Sequence, residues 1–395
     1  MEKEGVVVVL GTFDSKGEEH LFLKQGIEAR GLKALTMNVG TLGPARFTPD
    51  MDLRPPQGED RDQAIAQVIQ RAREALAELH AQGRVLGVIS AGGGSGTHLA
   101  TSVMKVLPLG VPKVMVSTVA AHDMAPVVGT KDITMIHSVG DLLGVNSLSG
   151  MILDQAAGAI CGMARSHWQA PSPKPRVALT MFGFITKAAE EVKRRLEEMG
   201  LEVIAFHANG IGGLAMEELA GQGLFDAILD LAPHELADSL CEGYCKLIGP
   251  GRLEPLTGRP LPRLVVPGGL DCAVLEFTRD TVPAPYRQRK IFFYDFRSAV
   301  RLSRQETETL ARDLAAKLNR ATGPVKVLIP GQGWSEADGP GAPLYDPELS
   351  AAFVALLKEG LDEGIEVLEL PLHINHPDFA AAAARLMAQM LETGG

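Results

Sequence analysis

The feature that most constrains this chain is an alternation of short apolar runs with stretches of helical periodicity. In the first half, residues 6–10, 33–39, 85–89, 113–117 and 133–138 read as strands. Helical stretches at 17–30, 60–82 and 148–165 lie between or after them, and Gly31 and Gly83 stand where the first two should stop. In the second half, residues 176–181, 202–206, 225–231, 263–267, 291–294, 325–330 and 365–370 read as strands. Helices are expected up to Met199 and at 305–319, 347–361 and 377–391. Apolar residues make up 46% of the chain and aromatics only 5%, so Val, Ile, Leu, Ala and Met must fill the core. Uninterrupted runs of such residues suit parallel strands buried on both faces. The pattern predicts an α/β fold, two Rossmann-like subdomains with mainly parallel sheets flanked by helices. Ligands of such sheets bind at the carboxyl ends of the strands, so the loops after strands carry the chemistry.

At 395 residues the chain is too long for one ordinary core. Pro171, Pro173 and Pro175 alternate in a segment that can continue neither a helix nor a central strand. They divide the chain into an N-terminal domain at 1–168, a linker at 169–175 and a C-terminal domain at 176–395. The opening theme returns after the linker. Phe13 and Phe182, Gly31 and Gly200, and Asn38 and His207 are each 169 residues apart. The common offset suggests two related βαβ units, although the architecture by itself places strands and glycines alike.

The segment Ala91-Gly92-Gly93-Gly94-Ser95-Gly96-Thr97 follows a strand and opens a helix. Glycines allow close backbone approach and positive φ, and the free amides of a helix start attract phosphate. Ser95 and Thr97 would add hydroxyl donors. The segment is not a Walker loop, because the Gly-Lys-Ser/Thr ending is missing. Nor is it the Gly-x-Gly-x-x-Gly fingerprint, because Thr97 holds the last position. A tight turn with close helix packing is the plainer alternative. A second loop, Gly11-Thr12-Phe13-Asp14-Ser15-Lys16-Gly17, leaves the first strand on the same sheet edge. Asp14 there suits ribose hydroxyls or a metal-bound water, and Lys16 suits a phosphate, unless Asp14 or Ser15 merely caps the helix. Ser117, Thr118 and Asp132 lie near other strand ends and suit ligand oxygens or Mg²⁺.

In the second half, His207-Ala208-Asn209-Gly210-Ile211-Gly212-Gly213 again joins a strand to a helix. Asn209, Gly212 and Gly213 would hold a second substrate and His207 would act as acid or base. Asp230, His234, Glu235 and Asp238 follow another strand, and Asp271 follows Pro267-Gly268-Gly269-Leu270. His207, Asp230, Glu235 and Asp271 are the candidate catalytic set, although each has an ordinary structural reading. Arg252, Arg259 and Arg297 are weaker candidates for a substrate carboxylate. Of the four cysteines, Cys241 and Cys245 are four apart and read as packed helix residues, since two ligands do not make a structural zinc site. The net charge of −10 argues against a general nucleic-acid binder. The apolar run at the N-terminus is too short for a signal or a span, and no later stretch reaches about 18 apolar residues. A cytoplasmic protein without membrane partners is expected.

Several of these segments together resemble one known family. They are Gly11–Gly17, the glycine loop, 107–118, Gly129-Thr130-Lys131-Asp132-Ile133-Thr134-Met135, Thr180-Met181-Phe182-Gly183, the His207 loop and Ile374-Asn375-His376-Pro377. The family comprises uncharacterised bacterial and fungal proteins and the N-terminal inhibitory region of the tomato resistance protein against tomato mosaic virus. The resemblance implies two α/β subdomains, ATP binding in the first and a tendency to form homodimers or higher homo-oligomers; Mg²⁺ is the companion ion that Asp14 or Asp132 would engage. The second half departs from the pattern: the usual His-Ala-Thr-Gly-Thr-Gly-Gly reads His207-Ala208-Asn209-Gly210-Ile211-Gly212-Gly213 here. The first reading is therefore an ATP-binding protein, an enzyme acting on a small polar substrate in the interdomain cleft. A nucleotide-responsive module without turnover competes with it. So does a sugar-acid or keto-acid enzyme whose glycine loop holds substrate phosphate.

Overall fold

Four consecutive valines open the first ordered strand, and every residue of 7–10 is fully buried. The computed structural model describes residues 5–54, 61–168, 173–247, 251–256, 258 and 260–393. The chain divides into two compact units, residues 1–170 and 171–395. Residues 169–172 of the proline-bearing linker, and Arg259, lie outside the described residues.

The first unit runs β1 (Val6–Gly11), α1 (Gly17–Ala29), β2 (Lys33–Asn38), β3 (Met51–Asp52), α2 (Arg61–Ala81), β4 (Val85–Gly92), α3 (Gly94–Met104), β5 (Lys113–Ser117), α4 (Ala125–Val128), β6 (Ile133–His137) and α5 (Ser147–Ala164). All six strands are parallel in the order β3-β2-β1-β4-β5-β6. Successive residues of β1 point to opposite faces and feed two cores. Val8 and Leu10 pack with Val68, Leu76, Leu99 and Val103 from α2 and α3. Val7 and Val9 pack with Leu23, Ile27, Leu153 and Ile160 from α1 and α5. The sheet is therefore covered on both faces. The chain winds one way from β1 to β2 and returns to the other side of β1 at β4. That reversal opens a crevice at the carboxyl ends of β1 and β4, the usual ligand position of such sheets.

The second unit runs β7 (Arg176–Met181), α6 (Thr186–Glu198), β8 (Glu202–His207), α7 (Ile211–Gly221), β9 (Ala227–Asp230), α8 (Glu235–Leu240), β10 (Arg263–Val265), β11 (Cys272–Leu275), β12 (Ile291–Phe293), β13 (Ser298–Arg301), α9 (Arg304–Leu318), β14 (Val325–Pro330), α10 (Pro347–Gly360), β15 (Glu366–Leu370) and α11 (Pro377–Thr393). Its main sheet is again parallel, in the order β15-β14-β10-β9-β7-β8, and its reversal lies between β7 and β9. Phe379, Ala383 and Met387 of α11 cover one face together with α6. α7, α9 and α10 cover the other.

The offset of 169 residues reappears in the elements. α1 and α6 start and end 169 apart, and so do β2 and β8. Gly31 and Gly200 close the two helices with φ of +78° and +87°. Without the two-residue β3, the first sheet has the strand order of β8-β7-β9-β10-β14 in the second, which adds β15 at its edge. One expectation changes: residues 291–294 do not join the main sheet. β12 pairs antiparallel with β13, and β13 with β11, in a separate three-stranded sheet. Strands of three or four residues carry too little periodicity to show their partners.

Candidate functional site

In the first unit, β4 extends through Ala91 and Gly92 before the chain turns at Gly93 into α3. Gly93 is the N-cap, and no side chain caps the helix. The amides of Gly94, Ser95 and Gly96 have no intrahelical acceptor, as in any first turn. Thr97 is the first to bond back, donating its amide to the Gly93 carbonyl at 2.8 Å. None of the four glycines has a positive φ. They serve close approach instead: a Cβ on Gly92 would lie 3.2 Å from the Gly96 Cα. At Gly96 itself nothing lies within 4 Å of a Cβ position, so that face is open.

The first loop comes up beside it. A cavity of about 550 Å³ is lined by Thr12, Asp14, Ser15, Lys16, Thr41, Leu42 and Ile65 on one side and by Gly93, Gly94, Ser95, Gly96, His98 and Leu99 on the other. This volume lies within the range of small-molecule sites. The Asp14 carboxylate accepts the Leu42 amide at 2.7 Å and the Gly43 amide at 3.3 Å through Oδ2, and Oδ1 has no hydrogen-bond partner. Asp14 thus organises the 40–43 loop, and neither it nor Ser15 caps α1. Lys16 Nζ donates to the Leu142 carbonyl, which anchors the amine at the cavity wall. Buried Asn38 accepts the Phe13 and Gly40 amides, tying both ends of this wall to β2.

Not every expected ligand residue faces the cavity. The Thr97 and Ser117 hydroxyls are buried and hydrogen-bonded to each other at 2.7 Å. Ser117 also accepts the Val119 amide. Thr118 donates its amide to the Gly92 carbonyl at 3.2 Å and buttresses the turn. Asp132 stands before β6, at the amino edge of a parallel sheet and thus opposite the cavity. It pairs with Lys113 Nζ at 2.6 Å and accepts the Gly110 amide at 2.8 Å.

His20 joins the two loops and has no signature in the sequence. It is fully buried on α1. Its Nδ1 lies 2.6 Å from the Lys16 carbonyl, an acceptor, so Nδ1 carries the proton. Its Nε2 then accepts the Ala91 amide at 3.3 Å. Gly11 exists for this ring, since a Cβ there would lie 1.9 Å from Nε2. Burial pushes the His20 pKa down to about 4. An unfolded histidine takes up a proton near pH 6.5 that the folded one refuses down to about pH 4. Stability therefore falls as pH drops through that window, by about 3 kcal/mol from this group. Denaturant midpoints measured from pH 7 to pH 4 should show this slope in the wild-type protein and a shallower one in His20→Gln.

The second unit collects its charges inside. Arg252 and Arg263 are buried with Asp230 and Glu217. Arg252 binds both Asp230 oxygens, at 2.5 and 2.6 Å, and Glu217 at 2.9 Å. Arg263 binds both Glu217 oxygens, at 2.8 and 2.6 Å. Thr180 donates to Asp230 as well. Burial opposes ionisation of Asp230, but Arg252 and Arg263 outweigh it and hold the carboxyl below its usual range. Glu235 is the reverse case: burial raises its pKa to about 7, against the pull of Arg252, whose Nε lies 3.6 Å away. The Asp271 carboxylate accepts the Ser335 hydroxyl at 2.9 Å. Nearby Asp338 is raised to about 7 by burial and then by Asp271, while Arg301 opposes both.

His207 is exposed at the end of β8, its pKa lowered by burial of part of the ring and then by His234 and Arg297. Asn209 accepts the Gly212 amide at 3.1 Å. A Cβ on Gly213 would meet Glu235 Oε1 at 2.0 Å, so α7 packs its first turn onto that carboxyl. The structure therefore brings Asp230 and Glu235 together around Arg252 and leaves Asp271 in a separate contact. Arg297 lies over the Tyr244, Tyr294 and Phe296 rings and pairs with Asp295. The network that holds Asp230 escaped the sequence reading because its members, at 217, 230, 252 and 263, share no local spacing.

Fold and site together define a protein of two doubly wound α/β units, the first with a crevice between glycine-rich strand exits. Family models match both units: "Uncharacterised protein family (UPF0261) N-terminal domain" over residues 5–169 and the corresponding C-terminal domain over residues 174–391. The chain belongs to this family. A UPF0261 protein of Clostridium tetani is 35% identical over 404 residues, covering 98% of this chain and 99% of the relative. One from Rhizobium meliloti is 36% identical, covering 95% and 97%. The tomato ToMV resistance protein Tm-1(GCR237) is 34% identical over 82% of this chain, which matches 44% of the tomato protein. Among the described residues no helix is long and apolar enough to cross a membrane.

Proposed function

We propose that the first unit binds ATP in the crevice between β1 and β4. One observation carries the reading: the uncapped first turn of α3 and the Lys16 loop line the same cavity. The amides of Gly94, Ser95 and Gly96 take the phosphates, with the positive end of the helix behind them. Lys16 supplies a point charge without the geometry of a Walker lysine. Asp14, which lines the same cavity, is the carboxylate that suits a ribose hydroxyl or a Mg²⁺-bound water. Leu42, Ile65 and Leu99 give an apolar wall of the kind a base packs against. Lys16→Ala is expected to weaken ATP about 10- to 30-fold in a calorimetric titration and to leave adenosine binding unchanged. Equal losses for both ligands would remove Lys16 from the phosphate site.

The assignment is to binding rather than turnover. Asp230 is engaged by two buried arginines and Thr180, which withdraws it from the set available for acid–base work. The self-association that the family resemblance implies has a candidate surface in the first unit. Val139 and Leu143 are 69% and 86% exposed, next to exposed Leu148 and Met151 on α5. Apolar exposure of this kind marks contact surfaces. Light scattering should find the wild-type chain as a dimer and a Leu143→Glu/Met151→Lys variant as a monomer.

A further inference from the structure

His234, Asp238 and Cys245 are all buried, and one donor atom from each lies within 4.8 Å of the others. His234 immediately precedes α8 and Asp238 follows one turn later, on the same helix face. The chain then turns back through Glu242, at a φ of +55°, and brings Cys245 over Asp238.

The hydrogen bonds fix what each donor presents. His234 Nδ1 lies 2.7 Å from the Gly269 carbonyl, which only accepts, so Nδ1 carries the proton. The ring is stacked on Phe182, with centroids 3.8 Å apart, and is fully buried. Its Nε2 has no hydrogen-bond partner among the described residues. Nε2 instead faces Asp238 Oδ1 at 3.4 Å, beyond ordinary hydrogen-bond length. Asp238 accepts the Val274 amide on Oδ1 and the Cys245 amide on Oδ2, both at 2.7 Å. An imidazole lone pair and a carboxylate oxygen thus converge beside a thiol in a dry interior. Such an arrangement is repulsive unless a positive charge sits among them. A histidine whose far nitrogen donates to a backbone carbonyl, beside a carboxylate already held by amides, is the usual support of a metal site.

We propose that His234 Nε2, an Asp238 carboxylate oxygen and Cys245 Sγ bind one zinc ion. The mixed nitrogen, oxygen and sulfur set suits Zn²⁺ and not Mg²⁺ or Ca²⁺, which take oxygen ligands. Three protein donors leave one tetrahedral position for water or a polar ligand. Binding replaces the thiol proton: the S–H bond breaks, the S–Zn bond forms, and one proton passes to solvent. Without a cation, burial and then Asp238 keep the Cys245 thiol protonated.

The test is the metal content of the full chain expressed in zinc-supplemented medium, with Cys245→Ser, Asp238→Asn and Cys272→Ser alongside. Wild type and Cys272→Ser should hold one zinc per chain. Cys245→Ser and Asp238→Asn should fall to a tenth or less after dialysis against a weak chelator, with helical circular dichroism intact. Cobalt exchanged into the wild type should give thiolate-to-metal charge-transfer absorption that Cys245→Ser lacks. A wild-type chain without zinc, or a Cys245→Ser chain that keeps it, overturns the proposal.

Discussion

Arg252→Met should lower the stability of the second unit by about 4 kcal/mol, the expected effect of leaving buried charges without their partner. Arg252 has no exposed surface and binds Asp230 twice, Glu217 once and approaches Glu235. Methionine fills similar space without supplying charge. Asp230 would lose its principal partner at full burial, and Arg263 would be left to serve Glu217 and Asp230 alone. In a unit of this size the loss corresponds to a fall of roughly 10 °C in Tm. Adding Asp230→Asn to the Arg252→Met chain should recover part of the loss, because one uncompensated charge is gone. Thermal unfolding followed by circular dichroism checks both. A loss below about 1 kcal/mol would mean that the interior is wetter than its geometry shows.

Gly96→Asp should have the largest effect on ligand binding. No atom lies within 4 Å of a Cβ at Gly96, so an aspartate fits there without strain. Its carboxylate would occupy the first turn of α3, where the amides are free and the helix end is positive. That placement stabilises the helix slightly, so Tm should hold or rise. The same carboxylate competes for the amides and repels a triphosphate, so ATP should weaken about 100-fold or more. Gly96→Ala, which brings bulk without charge, should bind ATP nearly as the wild type does. Stability and affinity moving in opposite directions is a result that a purely structural role for the loop does not produce.

Apart from the two-residue β3, the strands of both main sheets were legible, because central parallel strands buried on two faces are apolar almost throughout, as residues 6–10 are. The meeting of the Gly11 and Gly92 loops was legible too, since both leave the carboxyl ends of strands. Side-chain direction was not. Thr97, in the first turns of α3, and Ser117, at the end of β5, turn to each other and bond instead of facing the cavity. Asp132 was misplaced for a simpler reason: it precedes its strand, and in a parallel sheet that is the opposite edge. His20 left no trace, and Arg252 stood out only as a weaker candidate for a substrate carboxylate, because their partners lie 71 and 22 residues away, at Ala91 and Asp230. Of the His234, Asp238 and Cys245 group, the sequence showed His234 and Asp238 only as members of a polar cluster after a strand. Its third member arrives through a turn that no periodicity announces.

The central claim is that the α3 amides and Lys16 hold the phosphates of ATP. Calorimetric titration of ATP, ADP and adenosine into the wild-type chain with Mg²⁺ tests it most directly. One ATP per chain is predicted, with affinity falling stepwise as phosphates are removed. No heat at millimolar ATP, or equal affinity for all three ligands, would contradict it.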